Sequence, residues 1–172
     1  MGLKATGKLA AGMLFAAMVA APGTMKGQAA GDTILKPADM QKLVPPSVYY
    51  KGQTATTQVR NSGGVKFADG SYLLTFMVDT SGYSSDVAAK YQAYLITEIP
   101  IKVVGQPLPA GIYGIGFLKG NFVVTDVGGH DVLTSASGSD PSVKRPVPLM
   151  ISPNATGGFR LYAGRKFVTF SK

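Results

Sequence analysis

Two stretches decide how this chain folds: Ser71-Tyr72-Leu73-Leu74-Thr75-Phe76-Met77-Val78-Asp79 and Ala93-Tyr94-Leu95-Ile96-Thr97-Glu98-Ile99-Pro100-Ile101-Lys102-Val103-Val104. Side chains on an extended strand alternate between two faces. In the first stretch Tyr72, Leu74, Phe76 and Val78 share a face. In the second, Ala93, Leu95, Thr97, Ile99, Ile101 and Val103 share one face, and Tyr94, Ile96, Glu98, Pro100 and Lys102 take the other. A nearly apolar face backed by a mixed one is the pattern of an antiparallel sheet with one wet side. Pro100 has no amide hydrogen to give a ladder, so an edge position or a bulge is expected there.

Outward from these stretches the same reading continues. Strands are expected over 54–60, 65–67, 112–118, 121–127, 132–136, 147–152, 159–163 and 166–170. Ala68-Asp69-Gly70, Lys119-Gly120 and Gly164-Arg165 are turn-sized gaps between them, and Pro153 to Gly158 is a loop by composition. One short helix is expected where Ser84, Ser85 and Asp86 cap Val87 to Tyr91, with a lesser turn from Pro37 to Leu43 stopped by Pro45-Pro46. Roughly eight to ten short strands with regular punctuation make an all-β fold: a single antiparallel β-sandwich of jelly-roll or immunoglobulin-like size over residues 30–172.

Residues 1–29 read differently. Lys4 and Lys8 precede an uncharged run from Leu9 to Met25, Pro22-Gly23 breaks it, and Gly27-Gln28-Ala29-Ala30 supplies small residues. These are the parts of a secretory signal peptide, expected as a helix that is cleaved. A retained anchor competes with that reading. As a helix the run would reach about 26 Å at ~1.5 Å per residue, short of a ~30 Å hydrocarbon core. The chain is therefore expected in the periplasm or outside the cell, with no stable membrane span after cleavage.

Composition narrows the chemistry. The chain has no cysteine and one histidine, which excludes disulfides, thiolate metal sites, thiol nucleophiles and any site built on two imidazoles. The formal charge of +8 loses three lysines with residues 1–29 and becomes +5. The remaining cations are scattered, with only Lys144-Arg145 and Arg165-Lys166 adjacent, so no nucleic-acid partner is expected. Neither Gly-x-Ser-x-Gly nor Ser-x-x-Lys occurs.

The run Val104-Gly105-Gln106-Pro107-Leu108-Pro109-Ala110-Gly111-Ile112-Tyr113-Gly114 closes a strand at a glycine turn and opens the next. Its Leu108-Pro109-Ala110-Gly111-Ile112-Tyr113 segment resembles the core motif of the DUF2911 family of small exported bacterial β-proteins, whose function is not established. The resemblance implies an exported β-sandwich and assigns no residue a role. In physical terms, Pro107 and Pro109 hold the chain extended and delay pairing, and Gly111 permits a sharp or positive-φ approach. Tyr113, Ile115 and Phe117 then face inward.

Few residues suggest a site. Gly114 and Gly116 leave a bare strip on one strand face, which serves either tight packing under an aromatic ring or a ligand groove. Tyr49, Tyr50, Tyr83, Tyr91 and Tyr94 cluster around the expected helix; they either roof the core or, with Arg60 or Lys51, form a contact surface for sugars, peptides or a protein. His130, between Asp126 and Asp131, reads as a surface turn. Glu98, the only glutamate, reads as solvated or paired with Lys102. The loop from Asp79 to Asp86 is oxygen-rich but lacks regular calcium spacing. No catalytic set, metal or cofactor is assigned. The expected role is a non-enzymatic structural, accessory or binding module of the bacterial envelope, with an envelope protein or polysaccharide as partner. A small apolar-ligand carrier with a barrel-like interior, or a hydrolase or isomerase with an unrecognised site, are the alternatives.

Overall fold

The structure, a computed structural model, describes residues 1–2 and 31–172. The expected signal helix lies outside the described residues. In chain order the elements are β1 (Thr33–Leu35), α1 (Pro37–Met40), β2 (Ser47–Tyr50), β3 (Gln53–Lys66), β4 (Tyr72–Val78), α2 (Ser85–Lys90), β5 (Ala93–Thr97), β6 (Ile101–Val103), β7 (Gln106–Leu108), β8 (Gly111–Leu118), β9 (Asn121–Thr125), β10 (Asp131–Ala136), β11 (Gly138–Ser139), β12 (Met150–Pro153), β13 (Phe159–Ala163) and β14 (Lys166–Ser171). The fold is mainly antiparallel β in two sheets with two short helices. The first sheet runs β1-β3-β4-β5-β8-β9-β10, with β2 also pairing β3; the second runs β12-β13-β14-β6-β7, with β11 also pairing β14.

Alternation places the core. Val65, Leu73, Leu95, Tyr113, Ile115, Phe117, Phe122, Val124 and Leu133 of the first sheet meet Ile101, Val103, Leu108, Ile151, Phe159, Leu161, Val168 and Phe170 of the second in one apolar cluster. The voids at this core measure about 10 and about 40 Å³. Both are far below the several hundred Å³ of a small-molecule pocket, so among the described residues the space between the sheets is filled by side chains at these points.

Four sequence expectations are corrected. First, the other face of the central strands is not wet. Leu74, Phe76, Val78 and Tyr94 bury against Met40, Val44, Val48, Tyr50 and Tyr91 in a second cluster. In β4 this is the face that Tyr72, Leu74, Phe76 and Val78 mark as apolar; in β5 it is the mixed face of Tyr94 and Ile96, whose cover by α1, β2 and α2 the alternation does not show. Second, Pro100 marks neither an edge nor a bulge within one strand. Residues 93–97 pair in the first sheet and 101–103 in the second, and Thr97 Oγ1 donates to the Ile99 carbonyl at 2.6 Å where the chain turns between them. A strand that changes sheets at a corner keeps its inward face, which is why the alternation runs unbroken through the proline. Third, the described residues hold fourteen strands, because sheet changes at Pro100 and Ser137 divide longer runs and two- or three-residue strands show no period. Fourth, Pro37–Met40 forms a second helix.

The hairpins follow backbone chemistry. Lys51-Gly52, Val104-Gly105 and Lys119-Gly120 have positive φ at both residues, as the two-residue turns that match strand twist require. Val104, with φ of 48°, is the costly member, since a β-branched residue seldom adopts that region. Pro107 does not delay pairing: it sits in β7 opposite Lys102, on the edge of the second sheet, where a missing amide hydrogen is tolerated.

Candidate functional site

The tyrosines and the glycine strip come together, but as packing. Tyr50, Tyr91 and Tyr94 are buried, and Tyr83 is half-buried against them. The Tyr50 and Tyr91 rings stack at 3.9 Å between centroids, and Tyr83 meets both edge-on. Tyr50 Oη shares a hydrogen bond with Thr125 Oγ1 at 2.8 Å, and Thr125 donates to the Gly114 carbonyl at 3.2 Å. A Cβ on Gly114 would stand 2.8 Å from Thr125 Oγ1 and 2.9 Å from the Tyr50 ring; one on Gly116 would stand 2.6 Å from the Ala89 carbonyl oxygen at the end of α2. The bare strip is therefore filled by two rings and a helix end, so it is no groove. Only Tyr49, 60% exposed, presents a free ring. Burial raises the phenol pKa values of Tyr91, Tyr94, Tyr113 and Tyr83. The Tyr91 hydroxyl is buried without a hydrogen-bond partner.

The Pro109-Ala110-Gly111-Ile112-Tyr113 run explains itself. Tyr113 Oη donates to the Pro109 carbonyl at 3.0 Å, and its ring covers Gly111, where a Cβ would stand 2.8 Å from the phenol oxygen. This is a tyrosine corner, a phenol tied back to backbone just upstream. Gly111 is required by the ring above it and not by positive φ.

The polar candidates lie apart. Asp126 accepts from the amides of Gly128 and His130 at 2.9 Å, and His130 Nδ1 lies 3.0 Å from Asp126 Oδ2. These bonds, the His130 amide foremost, hold the Asp126 carboxyl below its ordinary pKa. Asp131 pairs instead with Lys90 at 2.8 Å. Glu98 accepts from the Tyr72 amide at 2.9 Å, prolonging the β4–β5 pairing; its expected partner Lys102 belongs to the other sheet. Asp79 accepts from the Ser81 amide, and Ser84 stands at the start of α2 with no side-chain cap. Among the described residues no three His, Asp or Glu side chains gather as a metal group.

Sequence reasoning missed one network. Tyr162 Oη donates to Asp140 at 2.9 Å, Arg160 Nε donates to Asn154 Oδ1 at 3.0 Å, and the Arg160 guanidinium lies 4.5 Å over the Phe167 ring. Arg160 and Tyr162 alternate with inward Phe159 and Leu161, which was the available signal. The network pins β11 and the Asn154 loop to the second sheet.

The concave surface lies elsewhere, at an irregularity in β3. Pairing with β4 jumps from Gln58↔Met77 to Ser62↔Phe76, so Val59, Arg60 and Asn61 bulge out of the ladder. Asn61 Nδ2 donates to Gln58 Oε1 at 2.9 Å and Ser62 Oγ to the Val59 carbonyl, closing the bulge on itself. Beside it opens a groove of about 400 Å³. Ile34, Leu35 and Pro37 form one wall, residues 60–63 the floor, and Val147 to Ile151 the other wall. A shallower hollow from Gln41 and Thr57 to Asn61 shares Arg60. Bulges commonly sit next to functional sites because they re-aim side chains. Here the re-aimed residue is Arg60, exposed and outside all four ion pairs among the described residues. None of the five sequence-singled tyrosines lines the groove. The sequence reading breaks the strand between Arg60 and Val65; the structure carries β3 through as one strand and places the irregularity at Val59 to Asn61.

Comparisons with protein-family models, with curated proteins and with solved structures found no match. No helix among the described residues is long and apolar enough to cross a membrane.

Proposed function

We propose that this chain is an exported, non-enzymatic binding module of the bacterial envelope, folded as a single antiparallel β-sandwich. The two sheets' shared apolar cluster supports the sandwich, and the lysine-headed apolar leader with its small-residue exit supports export. The resemblance of Leu108 to Tyr113 to exported β-proteins points the same way. The observation that carries the binding role is the groove at the β3 bulge: a concave, mainly apolar surface of about 400 Å³ between parts of both sheets, within the size range of ligand sites. His130, Glu98 and the Asp79–Asp86 loop each satisfy a local turn or strand contact, which fits a binding role. The partner is an envelope component that enters this groove.

The test is photo-crosslinking in the cell. A photoreactive residue at Val147, 42% exposed on the groove wall, is expected to capture an envelope component, and the same group at Lys119 on the far hairpin is not. Equal labelling from both positions, or none from Val147, refutes the reading. Export is tested separately by cell fractionation and N-terminal sequencing, with a new terminus near Ala30 expected.

A further inference from the structure

The groove's own lining narrows its ligand, an inference that rests on the binding role proposed above. Its walls are aliphatic: Ile34, Leu35, Val147 and Leu149. Its only charged lining residues are Lys36 and Arg60, and no Asp or Glu lines it. Asp39, the nearest acid in sequence to Lys36, accepts from the Lys36 backbone amide at 2.9 Å and is turned to that task. Neither cation belongs to an ion pair among the described residues. A groove with apolar walls, two lining cations and no lining acid disfavours cationic ligands by repulsion and favours anionic ones over neutral ones by attraction. Arg suits the role because its planar fork meets a carboxylate or phosphate through two parallel hydrogen bonds.

We propose that the groove binds a small amphiphile with an anionic head, carboxylate or phosphate, whose head sits at Arg60 and Lys36 and whose tail lies along Ile34, Leu35, Val147 and Leu149. At ~30 Å³ per heavy atom, the share of a liquid water, about 400 Å³ holds roughly a dozen non-hydrogen atoms. Decanoate and octyl phosphate match that size.

The test is a titration of the isotope-labelled full chain below the micellar range with decanoate, octyl phosphate, 1-decanol, decyltrimethylammonium and inorganic phosphate, followed by amide NMR shifts. Saturable shifts are expected at Ile34, Leu35, Ser62 and Leu149 with one or both anionic amphiphiles; which of the two binds tells carboxylate from phosphate. Arg60→Gln is expected to weaken that binding about tenfold or more, as loss of a charge-assisted contact does, and Lys36→Gln to weaken it less. Both side chains are exposed, so unfolding temperatures of the variants should match the parent. Absence of saturable shifts, equal binding of decyltrimethylammonium, or an Arg60→Gln affinity equal to the parent overturns the proposal. Failure here with Val147 crosslinking intact overturns the ligand class alone; failure of the crosslink as well removes the groove's binding role.

Discussion

Gly114→Val is the most direct probe of the tyrosine layer. A Cβ at Gly114 would stand 2.8 Å from Thr125 Oγ1, 2.9 Å from Tyr50 Cε2 and 3.0 Å from Tyr91 Cδ2. Carbon contacts are comfortable only at about 3.5–4.0 Å. Every neighbour must therefore move, and none is a free side-chain end: Tyr50 and Tyr91 are stacked and buried, and Thr125 is held to both Tyr50 and the Gly114 carbonyl. Overpacking of this kind costs about 1–3 kcal/mol. Loosening the buried hydroxyl pair adds about 0.5–1.5 kcal/mol, and the stiffer unfolded chain returns about 0.4–1 kcal/mol. The net for Gly114→Ala is about 0.5–4 kcal/mol of destabilisation, and Gly114→Val lies at or beyond the upper end. At about 3 °C per kcal/mol for a domain of this size, the midpoint falls by roughly 2–12 °C for Ala. The assay is thermal unfolding followed by near-UV circular dichroism, which reports the tyrosines directly. Gly82→Ala is the control, since its nearest neighbour would be Gln53 Oε1 at 3.6 Å. A Gly114→Val midpoint within about 1 °C of the parent would refute the packing argument.

Other perturbations test separate contacts. Tyr91→Phe removes a buried hydroxyl that has no partner and is expected to raise stability by about 1 kcal/mol, whereas Tyr50→Phe removes a paired one and should lower it by a similar amount; urea unfolding of the two variants should move in opposite directions. Val104→Asn relieves a β-branched residue at positive φ in an exposed turn and should stabilise by about 1 kcal/mol, read as a higher urea midpoint with unchanged slope. Asp140 is held below its ordinary carboxyl pKa of 3.8, first by the Ser142 hydroxyl, then by Tyr162, with Arg160 adding less. A depressed folded pKa means its contribution is present above 3.8 and is lost as pH falls through the lower folded value. Asp140→Asn should therefore flatten the fall in unfolding temperature below about pH 4, and an unchanged acid limb would count against the network.

The alternation in 71–79 and 93–104 determined by itself that these stretches are β-strands, because a period of two is imposed by the extended backbone whatever lies across from it. The inward faces of β5, β6 and β8 could be named from that period. Lys119-Gly120 and Gly164-Arg165 likewise announced their turns, since positive φ selects glycine locally. Tertiary structure decided the rest. Which sheet Ile101 and Val103 join depends on pairing with β14, which lies more than sixty residues further along the chain and is reached by no local rule. Whether Tyr50 and Tyr91 face solvent depends on a glycine strip more than sixty residues from the one and more than twenty from the other, because burial is a property of what arrives from the rest of the chain. The bulge at Val59 to Asn61 is a mismatch in length between two paired strands, and a mismatch has no residue signature. The groove and its two cations exist only once that mismatch has been folded against β1 and the segment leading into β12.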